Sequence, residues 1–340
     1  MRKLLNTLYV TTPEAYLTRD GLNVVVSVDK EERFRIPVMN VESIVTFGYL
    51  GASPGLMKLC IDNKVSLVFM SPQGRFIGRV QGATHGNVLL RKRQYKLSED
   101  ENWALHLAKL FISGKVFNTR GILQRFIRDN GSDKEVGSVI KQLDWRKKRI
   151  LQAENMDVLR GEEGHAANAY FEIFDHLILN QKNDFPFHGR SRRPPKDEVN
   201  AMLSFVYALI ANDVAAALES VGLDPYVGFM HSLRPGRSSL ALDMMEEFRG
   251  YLGDRLVLSM INRKQVNKKD FIRQGDESFV MTDECRKEVL ITWQKRKKEM
   301  IMHPFLKERI PIGLLPYSQA LLLARFIRDD LDDYPVFLMK

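Results

Sequence analysis

Leu89-Leu90-Arg91-Lys92-Arg93-Gln94-Tyr95 marks where the chain changes its hydrophobic period, and the reading on either side of it decides the fold. Before it, short runs rich in β-branched residues recur at 8–11, 24–28, 33–36, 43–47, 65–70 and 76–80. Turn formers such as Asp20-Gly21 and Pro72-Gln73-Gly74 separate them, so the runs predict strands, with one short helix expected over 54–63. From about Val88 onward the apolar residues return at helical spacing, with few Gly or Pro outside obvious breaks. The expected fold class is α+β: a small, mostly antiparallel N-terminal β-domain over 1–86, followed by a larger all-α domain over 87–340. The junction itself is short and charged, a compact connection that could also touch a phosphate backbone.

With 340 residues, 44% of them hydrophobic, the chain is long enough for two domains and a substantial core. A formal net charge of +9 favours a polyanionic partner, because each Lys or Arg set against a phosphate releases condensed counterions. Only two cysteines, Cys60 and Cys285, exclude a disulfide-rich scaffold or a Cys-based zinc cluster and suit a reducing, cytoplasmic setting. Met1-Arg2-Lys3 opens no long apolar run, so no signal peptide is expected. The most apolar stretch, 199–218, is interrupted by Asn200, Ser204, Asn212 and Asp213, which would be costly in lipid. It predicts a buried core helix, capped by Asp197 and ending at Gly222, and no membrane is expected as a partner.

Three stretches put acidic and histidine side chains where apolar ones belong. Ala166, Ala167, Tyr170, Phe174, Leu177 and Ile178 share one helical face with Glu163, and a carboxylate on such a face needs a partner or a metal. The alternative is that Glu163 sits at a helix start, where the dipole favours its charge. His231, in Gly228-Phe229-Met230-His231, reads by itself as a satisfied loop or core histidine. In the next segment Leu240, Met244, Phe248 and Leu252 form a buried stripe beginning near a capping Ser238 or Ser239, with Asp243 and Glu246 adjoining it. An ideal helical wheel places Glu247 nearer that stripe than Glu246, so the periodicity leaves the choice open, and a solvated edge paired with Arg249 would also accommodate the acids. Taken together, carboxylates with one imidazole suit a hard divalent cation, Mg2+ or Mn2+, of the kind phosphodiester chemistry uses. The other histidines, including His85, fall in no ligand spacing. Basic clusters recur at 146–149, 190–193, 263–269 and 295–298; Arg190, Arg192 and Arg193 are the candidates for phosphate contacts.

The residues also carry a resemblance. Glu163-Gly164 with Ala166-Ala167 and Tyr170-Phe171, Arg193-Pro194-Pro195 with Asp197 and Asn200-Ala201-Met202-Leu203-Ser204-Phe205, Gly222-Leu223-Asp224-Pro225 with Gly228-Phe229-Met230-His231, and Ser239 to Arg249 resemble, in order and spacing, the CRISPR-associated spacer-acquisition integrase family. The resemblance implies a metal-dependent DNA endonuclease and integrase that inserts short foreign fragments at the border of a CRISPR repeat. It implies Glu163, His231 and Glu246 as metal ligands with Asp243 in the accompanying acidic position, favouring Glu246 over Glu247. It further implies a homodimer that joins a small second adaptation protein in a heterohexameric complex on DNA; the β-domain is the expected dimer interface, because an exposed sheet edge can extend across two subunits. The competing expectations are a stand-alone repair nuclease acting on branched or single-stranded DNA, and a non-catalytic DNA-binding scaffold.

Overall fold

A computed structural model describes residues 6–339 except 73, 75, 83–86 and 276, so the expected boundary at Gly86 and the reading of His85 lie outside the described residues. The chain forms two compact units, one of Met1–Gly86, Met281–Glu299 and Pro311–Leu314, the other of Asn87–Val280, Met300–Ile310 and Leu315–Lys340.

The first unit contains β1 (Thr7–Val10), β2 (Ala15–Asp20), β3 (Asn23–Val28), β4 (Glu31–Pro37), β5 (Ser43–Phe47), α1 (Pro54–Asp62), β6 (Ser66–Met70) and β7 (Phe76–Val80). β2-β3-β4 is an antiparallel meander, while β1-β5-β6-β7 is a mixed sheet in which β1 and β6 both run parallel to β5. The parallel step from β5 to β6 follows from α1, which supplies the crossover that parallel neighbours require. Ser53 caps α1 by accepting from the Leu56 amide, with Pro54 at the first helical position. Leu17, Val24, Ile44, Leu56 and Leu67 are fully buried between the sheets and the helix. β2 has no counterpart in the sequence expectation: Ala15 and Leu17 point inward, but Tyr16, Thr18 and Arg19 dilute the alternation. β4 is almost wholly exposed, and Arg35 on it is paired with Glu32 and Asp20, which puts charge along the outer strand.

The second unit is built from α2 (Val88–Glu99), α3 (Glu101–Asn130), α4 (Lys134–Leu151), α5 (Met156–Glu172), α6 (Glu198–Ser220), α7 (Ser239–Phe248) and α8 (Arg255–Asn262). After them come the short strands β8 (Phe271–Arg273) and β9 (Phe279–Met281), then α9 (Asp283–Lys298), whose residues cluster with the first unit, the strands β10 (Met300–Met302) and β11 (Arg309–Pro311), and α10 (Leu315–Ile327). The two ribbons, β8-β9 and β10-β11, interrupt the helical part and are too short to leave a periodic signal. The charged junction is itself helical, capped by Asn87, and within it Gln94 is fully buried, donating to the carbonyls of Asp224 and Val227.

α6 is the central helix. Asp197 caps it, accepting from the Asn200 amide at 2.6 Å, and Gly222 ends it at φ +87, where the Leu223 amide reaches back to the Leu218 carbonyl. Its length and apolarity would suffice to cross a membrane, yet 72% of its most apolar window is buried inside the unit against α7 and α10. This burial makes it the core helix the interrupted apolar run predicts.

Candidate functional site

Glu163 lies in the middle of α5, whose cap is Asn155 and whose first residue is Met156. The helix-start alternative therefore fails, since seven helical residues precede Glu163 and the dipole's positive end is two turns away. Its face is the expected one: Ala166 and Tyr170 are buried with Phe174, Leu177 and Ile178, the last three beyond the helix end at Glu172. What satisfies the carboxylate is Lys115, in the middle of α3 and only 8% exposed, whose ammonium pairs with Glu163 Oε1 and lies 3.0 Å from Glu246 Oε2.

Glu246 is almost fully buried on α7, with Arg249 3.0 Å from Oε1 and Lys115 on Oε2. Burial by itself would raise the carboxyl's pKa. The positive charge of Arg249, then Lys115, then nearby His231 outweighs it and holds the group at about 2, so Glu246 is a buried anion at neutral pH. Glu247 points elsewhere. It accepts from the Tyr334 hydroxyl at 2.5 Å, the Phe337 amide at 2.6 Å and Gln319 Nε2 at 2.9 Å, and burial pushes its carboxyl up to about 7. The ideal wheel had favoured Glu247 for the buried face; both are buried, on different sides, and only Glu246 meets Glu163's cation.

Asp243 has no exposure and organises the loop before α7. Its Oδ2 accepts from the Phe229 amide at 2.6 Å and the Met230 amide at 3.0 Å, and its Oδ1 from the His231 amide at 3.0 Å and from His231 Nδ1 at 2.5 Å. A carboxylate on Nδ1 keeps the proton there and leaves Nε2 with its lone pair for a ligand. Both oxygens of Asp243 are thus occupied by the loop amides and the His231 ring. Gly228 makes this approach possible, because a Cβ there would lie 2.6 Å from Asp243 Oδ2 and 2.7 Å from the Ser239 carbonyl carbon. The Ser caps expected for α7 are absent in that form: Ser238 makes no side-chain cap, and Ser239 Oγ instead donates to the Ser232 carbonyl.

Immediately after Phe248 the helix widens into a π-turn over Arg249–Asp254. This turn points Arg249 at Glu246 and over the Tyr207 ring at 5.0 Å, and buries Asp254 between the hydroxyls of Tyr207 at 2.5 Å and Tyr170 at 3.0 Å. Arg190 lies on the same ring at 5.4 Å and bonds Asn200 Oδ1 at 2.6 Å and Ser204 Oγ at 3.0 Å. Burial lowers its pKa to about 10, and its guanidinium braces the loop onto α6. Arg192 and Arg193 are exposed. In the 146–149 cluster, Arg146 and Arg149 pair with Glu162 and lie over Trp145, so two of its cations serve the helix interface. His106 is held by Asp333, His176 by Asp133 and His303 by Gln319, in structural roles.

Lys115 is the site residue that the sequence reading missed. A lysine inside Phe111-Ile112-Ser113-Gly114-Lys115-Val116-Phe117 was a signal of the same kind as Glu163. Among the described residues no three His, Cys, Asp or Glu side chains stand close enough to ligate one ion as they are, with the Lys115 ammonium between the two glutamates. The donor set nevertheless fits a hard divalent cation. Two carboxylates converge on one cationic position, Oε2 of Glu246 is sealed from solvent against the Lys115 ammonium, and the His231 ring, held at Nδ1 by Asp243, stands near them.

Residues 8–295 match the family model described as CRISPR associated protein Cas1. The chain is 49% identical over 347 residues to "CRISPR-associated endonuclease Cas1 2" of Rhodospirillum rubrum and 46% identical over 344 residues to "CRISPR-associated endonuclease Cas1 1" of Chlorobaculum tepidum, covering 100% of each chain in both cases. The structure of a CAS1 protein from Thermotoga maritima superposes with a TM-score of 0.81 at 22% identity, over 98% of this chain and 100% of that one.

Proposed function

The chain belongs to the CRISPR-associated Cas1 family, and from that membership we propose that it is a DNA endonuclease and integrase that inserts short foreign fragments into a CRISPR array. A divalent cation is its cofactor, with Glu163, His231 and Glu246 as the ligands and Mg2+ or Mn2+ as the ion. When bound, the ion supplies positive charge to the scissile phosphate as negative charge develops there. The chemistry is a transesterification: the 3′-hydroxyl of the fragment attacks a phosphodiester at the repeat border and a 3′-oxygen leaves. With water as the attacking group, the same residues cut DNA.

The chain's own contributions follow from the geometry. Asp243 holds the proton on His231 Nδ1 and fixes the loop through three amides. Arg249 keeps Glu246 ionised where burial alone would protonate it. The exposed guanidinium groups of Arg192 and Arg193 are assigned to the DNA backbone, with an affinity that falls with salt. Arg190, committed to Asn200 and Ser204, is assigned to shaping that loop. The residues up to Gly86 are assigned to homodimerisation, with a small second adaptation protein completing a heterohexamer. Cys60 and Cys285, both buried and neither in a disulfide, accord with a cytoplasmic setting.

The observation that carries this reading is the convergence of Glu163 and Glu246 on one buried cation, with His231 oriented beside them by Asp243. To test it, the protein and its small partner are incubated with Mn2+, a short duplex and a supercoiled plasmid bearing the repeat. Joined product at the repeat border is expected from the native chain and is lost in Glu163→Ala and His231→Ala. Cutting without joining would point to the stand-alone nuclease, and metal-independent binding without product to the scaffold.

A further inference from the structure

Glu163 and Glu246 carry two negative charges, and Lys115 and Arg249 return two positive ones, so the cluster is balanced with no ion bound. That balance has a reason: two carboxylates on buried helices without cationic partners would be expensive in the metal-free protein. It also has a consequence. A divalent ion entering between Glu163 and Glu246 would meet the Lys115 ammonium at close range, in surroundings that screen charge poorly.

The two cations are not equally free to yield. Arg249 is wedged over Tyr207, bonds the opposite oxygen of Glu246, and belongs to the π-turn that is also anchored by buried Asp254. Lys115 has a flexible four-carbon stem and bridges both glutamates through one point charge.

We propose that Lys115 is a built-in counter-cation that competes with the divalent ion for Glu163 and Glu246, and that leaves them when a DNA phosphate offers it another anion. Metal and DNA binding are then reciprocally coupled: each tightens the other by the same factor. The site stays closed to stray metal until substrate arrives, which limits unprogrammed cutting. The inference rests on Glu163, His231 and Glu246 being the ligands, and Lys115 acts on the metal through them, as a positioning residue.

The test is a calorimetric Mn2+ titration of the full chain with and without a short duplex, the DNA's own uptake subtracted. The native protein is expected to bind Mn2+ roughly tenfold more tightly with DNA present. Lys115→Met is expected to bind tightly in both conditions, losing the coupling, and Lys115→Arg to regain part of it. Lys115→Gln replaces Lys115→Met if the latter does not fold, with the same expectation. If removing the ammonium leaves DNA-free Mn2+ affinity unchanged or weaker, the proposal is wrong. Glu163→Ala separates the two readings: if it binds Mn2+ as well as the native chain, the ligand assignment fails and takes the proposal with it.

Discussion

Asp243 illustrates how one buried carboxylate can organise a loop. Its two oxygens accept four hydrogen bonds, three from consecutive amides and one from the His231 ring. Asp243→Asn keeps the size but removes the charge and one acceptor, so an amide is left unpaired and the imidazole loses its tautomer control. Mn2+ affinity and DNA joining are expected to fall roughly 10- to 100-fold, the range seen when partners of metal-binding histidines are removed. Calorimetry and the joining assay check this, and a variant with native metal affinity would show that His231 is oriented by something else. The sequence placed Asp243 beside the right stripe, but which of two neighbouring acids ligates and which supports is a question of a few ångströms. Lys115 was equally visible as a charge in an apolar run and equally ambiguous, because its partners lie 48 and 131 positions away.

At the scale of elements, the site depends on where three of them bend or begin. α5 starts a full two turns before Glu163, at Asn155, a cap that Gly161 and Gly164 obscure in the sequence. Those glycines lower helix propensity, and tertiary packing of Leu159, Ala166 and Tyr170 overrides them. The π-turn at Arg249–Asp254 rotates the chain so that Arg249 and Asp254 both serve the interior, which a uniform 3.6-residue period cannot represent. The loop before α7 packs against it at Gly228. Gly228→Ala puts a methyl 2.6 Å from Asp243 Oδ2 and 2.7 Å from backbone, so the loop must shift. A loss of about 1–3 kcal/mol in denaturant unfolding is expected, as for overpacked cores, together with weakened Mn2+ binding. Native stability with native metal affinity would mean the loop has slack that the structure does not suggest.

Over the whole molecule, buried acids tie distant segments together and make stability respond to pH. Asp254 joins α5 and α6 through Tyr170 and Tyr207, and burial raises its carboxyl to about 6, partly offset by those tyrosines. Because the folded state holds this proton more tightly than the unfolded chain, the group favours folding below about pH 4, and that contribution is lost as pH rises through about 6. The shift of about two pKa units corresponds to about 3 kcal/mol. Asp254→Asn is therefore expected to gain stability relative to the native chain between pH 4 and pH 6, by up to that order. Denaturant unfolding across that range measures it, and a constant difference would contradict the assignment. Glu247 acts in the same direction, holding Tyr334 and Phe337 of the C-terminal segment against α7.

The division into a strand-rich first part and a helical remainder, α1, the cap and end of α6, and the buried stripe of α7 were all determined by the sequence, because each rests on local periodicity or a local cap. The tertiary structure alone decided that β5 has parallel neighbours, that α9 clusters with the sheets, that Glu246 meets Glu163 while Glu247 meets the C-terminal segment, and that Arg190 braces a loop. These are pairings between residues remote in the chain, set by which buried charges and apolar faces satisfy one another once the helices pack. Period and propensity describe one element at a time; a buried ion pair between two elements has an energy only after both have left water.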